Sequence, residues 1–144
     1  MKVLFVCLHN IGRSQIAKAF YNSITKSKAA DAAGLDAKSF PEKFLRDFGE
    51  TNGMKVMREI GIDMGDFPRH QLTKDLAKEY DLIVVMAADD EIPKWLSDSP
   101  KFRRWPIEVP KMPHGAEVLR PMRDEIERRV RDLVRETTAR HRRT

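Results

Sequence analysis

The stretch Lys2-Val3-Leu4-Phe5-Val6-Cys7-Leu8-His9-Asn10-Ile11-Gly12-Arg13-Ser14-Gln15-Ile16-Ala17-Lys18-Ala19-Phe20 decides the fold. Residues 3–6 are a continuous apolar run without alternation, the pattern of a strand buried on both faces of a parallel sheet. From Ser14 the pattern changes, and Ile16, Ala17, Ala19, Phe20 and Ile24 recur at helical spacing. Seven residues, from Cys7 to Arg13, lie between strand and helix. A loop that feeds a helix start aims backbone N–H groups at whatever sits above it, and the helix dipole adds positive potential there. The stretch reads as an anion cradle with a thiol beneath it.

The chemistry follows from the spacing. Thiolate, not thiol, is the nucleophile, and a helix N-terminus or a nearby guanidinium favours it. Cys7 would stand near both. Arg13 can fold over the loop and offer a planar fork to two oxygens of a tetrahedral oxyanion. Ser14, at the helix start, can donate its hydroxyl to the sulfur. Asn10 and Gly12 are residue types that tolerate the positive φ of a tight loop with inward N–H groups. A lone cysteine after an apolar strand is more often a small buried hydrophobe. Here the preceding strand, the Asn and Gly, the Ser after Arg and the following helix together favour a nucleophile.

Cys7-Leu8-His9-Asn10-Ile11-Gly12-Arg13-Ser14-Gln15-Ile16-Ala17 resembles the signature loop of the low-molecular-weight protein tyrosine phosphatases and of their relatives, the thioredoxin-coupled arsenate reductases. The resemblance runs over nearly the whole chain. It implies a single-domain, three-layer α/β sandwich with a four-stranded parallel sheet and a phosphate-binding loop between first strand and first helix. It also implies that Cys7 carries the phosphoryl group. The oxyanion would be held by Leu8, His9, Asn10, Ile11, Gly12, Arg13 and Ser14. Gln15 after Ser14, and His9 before Asn10, lean toward the reductase branch.

A chain of 144 residues suggests one domain with a single sizeable core. A hydrophobic share of 41% with 34% charged is ordinary for a soluble globular protein. No apolar stretch approaches the roughly 20 residues of a membrane span, and Met1-Lys2 leads straight into a strand with no signal peptide expected. The single cysteine permits no internal disulfide and suits the cytosol. Net charge is +5, with much of the excess in residues 128–143. We therefore divide the chain into a phosphatase-like domain, 1–136, and a basic tail, 137–144. Such a tail is read as a solvated helix end rather than a nucleic-acid site.

Further along, residues 29–35 match the family's second strand, although alanine favours helix. Residues 39–49 are a lengthened connection whose phenylalanines are expected to pack onto the core, the alternative being that some line the substrate mouth. Met54, Val56, Met57 and Ile60 read as the apolar face of a second helix stopped by Gly61. Thr73 is an N-cap candidate. Residues 81–86 are the second buried strand, and residues 105–110 match the family's last strand and acid loop. Leu119, Met122, Ile126, Val130, Leu133 and Val134 mark a long amphipathic final helix. Alternating buried strands and helices imply a doubly wound parallel sheet.

Two departures from the family stand out. Val109 occupies the place where the phosphatases carry the Asp that protonates the leaving oxygen. Glu108 is the nearest carboxylate, expected to point away from its neighbour's side in an extended loop, and Asp89, Asp90 and His114 are further candidates. The reductase branch has two resolving cysteines, and Ala88 and Ile92 stand there instead. A reductase would need an external low-molecular-weight thiol. The primary expectation is a phosphomonoester hydrolase acting through phospho-Cys7 on a phosphorylated protein. The alternatives are arsenate reduction with an external thiol and a non-catalytic oxyanion-binding protein. No cofactor or metal is expected, because His9, His70, His114 and His141 show no ligand spacing. Neither a nucleic-acid nor a membrane partner is expected.

Overall fold

Strand β1, Val3–Cys7, is buried along its whole length. Val3 and Phe5 face one core, with Ile16, Phe20, Val84 and Ile126, while Leu4 and Val6 face a second, with Ile83, Val85 and Leu96. Both faces need apolar residues, which is why the run shows no alternation. The structure, a computed structural model, describes residues 1–111 and 115–143. After β1 come α1 (Arg13–Thr25), β2 (Ala30–Gly34), α2 (Asn52–Arg58), α3 (Lys74–Ala77), β3 (Leu82–Val85), α4 (Lys94–Ser97), β4 (Phe102–Arg104) and α5 (Arg120–Arg143).

The four strands pair in parallel in the order β2-β1-β3-β4. Helices α1, α2 and α5 cover one face, and α3 and α4 the other, giving three layers. The chain steps from β1 to β2 on one side and then returns to β3 on the other. That reversal opens a crevice at the carboxyl ends of β1 and β3, where this architecture takes its ligands. Cys7 lies at that edge, in register with Gly34.

Several elements differ from the sequence expectation. The last strand is Phe102–Arg104, ahead of the expected 105–110. Trp105 still donates its N–H to the Val85 carbonyl at 3.0 Å, but Pro106 and Pro110 have no N–H to continue the ladder. Helix α2 ends at Arg58, so Ile60 is 43% exposed rather than on the buried face. Gly61 takes φ +83°. Its N–H reaches the Arg58 carbonyl, and that of Ile62 reaches Met57, each at 3.0 Å. These two bonds close the helix in a Schellman turn.

Alanine-rich β2 is a strand despite its propensity, paired along its whole length with β1 and packed against α1, with Ala32 and Ala33 fully buried. Thr73 caps α3 through the N–H of Leu76 at 3.1 Å, as expected. The 39–49 phenylalanines do not enter either core. Leu45 is buried there, while Phe44 and Phe48 are half-buried and Phe40 is exposed.

On the final helix and the turn before it, Leu119, Met122, Ile126, Val130 and Leu133 are buried as their spacing requires. The helix continues unbroken across residue 136. Thr137 is buried, with its hydroxyl 3.3 Å from that of Tyr21. No helix among the described residues is long and apolar enough to cross a membrane.

Truncating the fully buried Ile126 to Ala should cost about 2–5 kcal/mol in chemical denaturation. Ile60→Ala should stay within about 0.5 kcal/mol. Equal losses would contradict the observed end of α2.

Candidate active site

Four consecutive carbonyls between β1 and α1 are held from outside the loop. The Leu35 N–H donates to the Cys7 carbonyl at 2.9 Å, and the Asp36 N–H to that of Leu8 at 2.7 Å. Arg69 Nη2 donates to the His9 carbonyl at 2.6 Å. Gln15 Nε2 donates to the Asn10 carbonyl at 3.1 Å. In a trans peptide the following N–H points opposite to the carbonyl. The N–H groups of Leu8, His9, Asn10 and Ile11 are thereby turned to the inside of the loop. Helix α1 starts without a side-chain cap or an acidic residue in its first turn, so its leading N–H groups add to the same concavity.

Cys7 forms the floor, 3% exposed. Its Sγ lies 3.0 Å from Ser14 Oγ, and Ser14 Oγ lies 2.8 Å from Asn10 Oδ1. Ser14 has one proton to give. A thiol can donate to Ser14 while Ser14 donates to Asn10, whereas a thiolate draws the Ser14 proton to itself. Asn10 is fully buried with φ +59°, the left-handed conformation that Asn tolerates. Gly12 does not take the expected positive φ; its value is −114°.

Arg13 is half-buried, and its Nη1 donates to the Ile107 carbonyl at 2.7 Å. That bond anchors it toward the 105–110 segment. A cavity of about 300 Å³ opens beside it, lined by Arg13, Glu91, Arg104, Ile107, Glu108 and Val109 among others. Glu108 and Val109 both line this cavity, in a segment that is not a strand. Asp89 and Asp90 do not line it; Asp89 instead pairs with Arg104 at 3.2 Å. Glu91 does line it, while its Oε1 accepts the Ala88 N–H at 2.8 Å. His114 lies outside the described residues.

The other wall is aromatic. The His9 ring meets the edge of Phe40 at 5.1 Å, and Phe40 meets Phe48 at 6.0 Å. The guanidinium of Arg69 stands over Phe48 at 5.1 Å. Burial pushes Arg69 below its usual pKa, while its electrostatic interactions with Glu42 and Cys7 pull it back up. A larger cavity of about 630 Å³ beside Lys18, Asp31 and Phe67 is lined by none of the loop residues. Among the described residues no group of three or more His, Cys, Asp or Glu could hold a metal ion.

The family model described as low molecular weight phosphotyrosine protein phosphatase matches residues 2–143. The chain belongs to this family. A glutaredoxin arsenate reductase from Synechocystis sp. is 26% identical over 136 residues, spanning 92% of this chain and 95% of that protein. Among solved structures, a low molecular weight protein tyrosine phosphatase from T. tengcongensis superposes with a TM-score of 0.76. It is 27% identical and covers 94% of this chain and 99% of its own. An arsenate reductase in the phosphate binding state gives 0.75 at 26% identity, covering 94% and 98%. The curated phosphatase relatives align over about half of their own length.

Within this phosphatase family fold, the structure brings Cys7, Arg13, Ser14 and the backbone of residues 8–12 together, with Glu108 at the adjoining cavity. The sequence reading did not find Arg69, Glu91 or Gly34, and it used Gln15 only as a branch marker. Arg69 carries no local signal, since its partners lie in three different segments. Gly34 has one, as a small residue at a strand end, and its reason is steric. A Cβ there would lie 2.9 Å from the Leu8 oxygen and 3.0 Å from both the Asn10 nitrogen and the Ala37 Cβ. Gly34→Ala should therefore leave the protein folded but push the loop open. Phosphate should protect Cys7 from iodoacetamide only at much higher concentration than in wild type. Unchanged protection would show that the loop does not depend on this close approach.

Proposed function

We propose that this protein hydrolyses phosphate monoesters through a phospho-Cys7 intermediate. The observation that carries the reading is the thiol floor, Cys7 Sγ 3.0 Å from Ser14 Oγ, at the foot of a loop whose four carbonyls are all bonded on its outer side. Cys7 sulfur attacks phosphorus as the S–P bond forms and the ester P–O bond breaks. The loop N–H groups and the Arg13 guanidinium take the negative oxygens, where charge-assisted bonds are strong. The leaving oxygen needs a proton, and Glu108 in the adjoining cavity is the assigned donor. Water then attacks phosphorus, the S–P bond breaks, and the same carboxylate takes a proton from the water. Ser14 stabilises the departing thiolate.

The edges of Phe40 and His9 at the mouth favour an aryl phosphate, such as phosphotyrosine on a protein. A free cysteine that must stay reduced to react fits the reducing cytosol. Arsenate reduction is a second reading, favoured by the full-length match to an arsenate reductase. In that reaction Cys7 would form an S–As bond with loss of water. An external low-molecular-weight thiol would then attack the Cys7 sulfur, the S–As electron pair would pass to arsenic, and a mixed disulfide would remain for a second thiol to reduce.

One preparation assayed with para-nitrophenyl phosphate, and separately with arsenate plus a thiol, separates these readings. Hydrolysis that disappears in Cys7→Ser supports the first. Anion binding with neither activity would leave a non-catalytic oxyanion-binding protein.

Ser14→Ala should slow breakdown of phospho-Cys7 by about 10- to 100-fold, the loss of one hydrogen bond to a charged group. Burst kinetics would show the intermediate accumulating.

Glu108→Gln should lower the rate on phenyl phosphate by about a hundredfold or more and barely affect substrates with acidic leaving groups. If Glu91→Gln shows that pattern instead, Glu91 is the acid.

A further inference from the structure

We propose that Arg69 is a positioning residue for the anion cradle, holding the His9–Asn10 peptide with its N–H inward and tying the aromatic rim to the loop. The assignment rests on the reading that residues 7–13 hold the phosphoryl group. Each of the four outward carbonyls has a donor, but the donors differ in kind. Cys7 and Leu8 are held by backbone N–H groups just beyond β2. Asn10 is held by Gln15, which is fully buried on the adjoining helix. His9 is held by a side chain that arrives from a segment 60 residues away.

Arg69 spends both ends of its fork on carbonyls. Nη2 donates to His9 at 2.6 Å and to Ala37 at 2.9 Å. Nη1 donates to Glu42 at 2.6 Å and to Phe40 at 3.3 Å. The plane of the guanidinium lies against Phe48 and, at 6.0 Å, against Phe40. No carboxylate lies within ion-pair distance of it among the described residues.

This is the bonding of a structural clamp built from directed donors. A planar fork with five N–H groups can serve diverging carbonyls at once. A lysine, with one compact ammonium group, cannot span the same set. The clamp has a direction of action. If the His9 carbonyl lost its outside partner, the His9–Asn10 peptide could rotate, and an oxygen would replace an N–H at the anion's position. An inward carbonyl repels an oxyanion where an inward N–H attracts it. His9 joins the clamp a second time, through Nδ1, 3.2 Å from the Asp36 oxygen, and through its ring edge on Phe40. Rim and cradle therefore move as one unit, with Arg69 between them.

The test compares Arg69→Lys, Arg69→Met and, as control, Arg46→Met. Arg46 is an exposed residue whose side chain pairs with Asp66 at 2.8 Å outside the loop. Inorganic phosphate is the probe, read as the concentration that half-protects Cys7 from iodoacetamide well below each protein's melting temperature. Both Arg69 variants should need about 10- to 100-fold more phosphate, as for a lost hydrogen bond to a charged group, and Arg46→Met should match wild type. Full retention in Arg69→Lys would mean that only charge matters and would overturn the proposal. A lowered melting temperature with unchanged protection would mean a merely structural role and overturn it too.

Should both variants fail to fold, amide NMR of the wild-type protein decides. On phosphate titration the Asn10 amide proton should move downfield together with those of Leu8 and Ile11. An Asn10 amide that stays put while the other two move would overturn the proposal. A wild type that is protected by phosphate but hydrolyses no monoester would refute the hydrolase reading and leave this assignment standing.

Discussion

The constraint on which the rest of the structure depends is the direction of a few peptide groups between β1 and α1. An oxyanion is bound by N–H groups only if the carbonyls on the other side of each peptide have somewhere else to go. Backbone carbonyls are strong acceptors and do not stay turned away without partners. Much of the surrounding architecture provides those partners. The chain leaving β2 supplies two N–H groups, α1 supplies Gln15, and the segment before α3 supplies Arg69.

The parallel sheet makes this supply possible. Because β2 lies directly beside β1 with Cys7 opposite Gly34, the residues that follow both strands emerge at the same edge. Leu35 and Asp36 meet the loop there. Gly34 is the condition for that meeting, since any side chain would collide with the loop backbone. On the other side, β3 and β4 deliver residues 86–91 and 105–109 to Arg13. Cys7 sits where the two halves of the sheet diverge, with the loop carbonyl partners on one side and the cavity beside Arg13 on the other.

The same logic explains the composition of the site's walls. The cradle side is rigid and largely buried, with Asn10, Ser14 and Gln15 fully enclosed. The acid side is open, with Val109 46% exposed and carboxylates at the margin of the cavity rather than sealed within it. The cradle side presents many fixed dipoles, whereas the open side presents the carboxylates of Glu91 and Glu108. That asymmetry suits a fold that can serve more than one tetrahedral oxyanion, as the phosphatases and arsenate reductases among its relatives illustrate.

What could be read from sequence was whatever short-range physics dictates. The unalternating run 3–6 can only satisfy both faces inside a parallel sheet. The apolar spacing from Ile16 onward can only be a helix face, and a Cys, Asn, Gly, Arg, Ser loop between them is an anion site in miniature. The stripe from Leu119 to Leu133 was legible for the same reason. Tertiary structure decided everything that rests on residues meeting from afar. Alanine-rich β2 became a strand because pairing along β1 and packing against α1 override the local preference of alanine. Gly61 was legible as the stop of α2, but Ile60 fell in the turn that Gly61 closes and was turned out to solvent. Phe40 and Phe48 of the 39–49 connection stand at the rim against Arg69 and His9, while Phe44 lies under Arg46. Arg69 itself was invisible, for a clamp is defined by where its acceptors converge, and those carbonyls belong to residues 9, 37, 40 and 42. Local pattern specifies which segments form and which atoms could react; only the folded chain specifies which way a peptide bond faces.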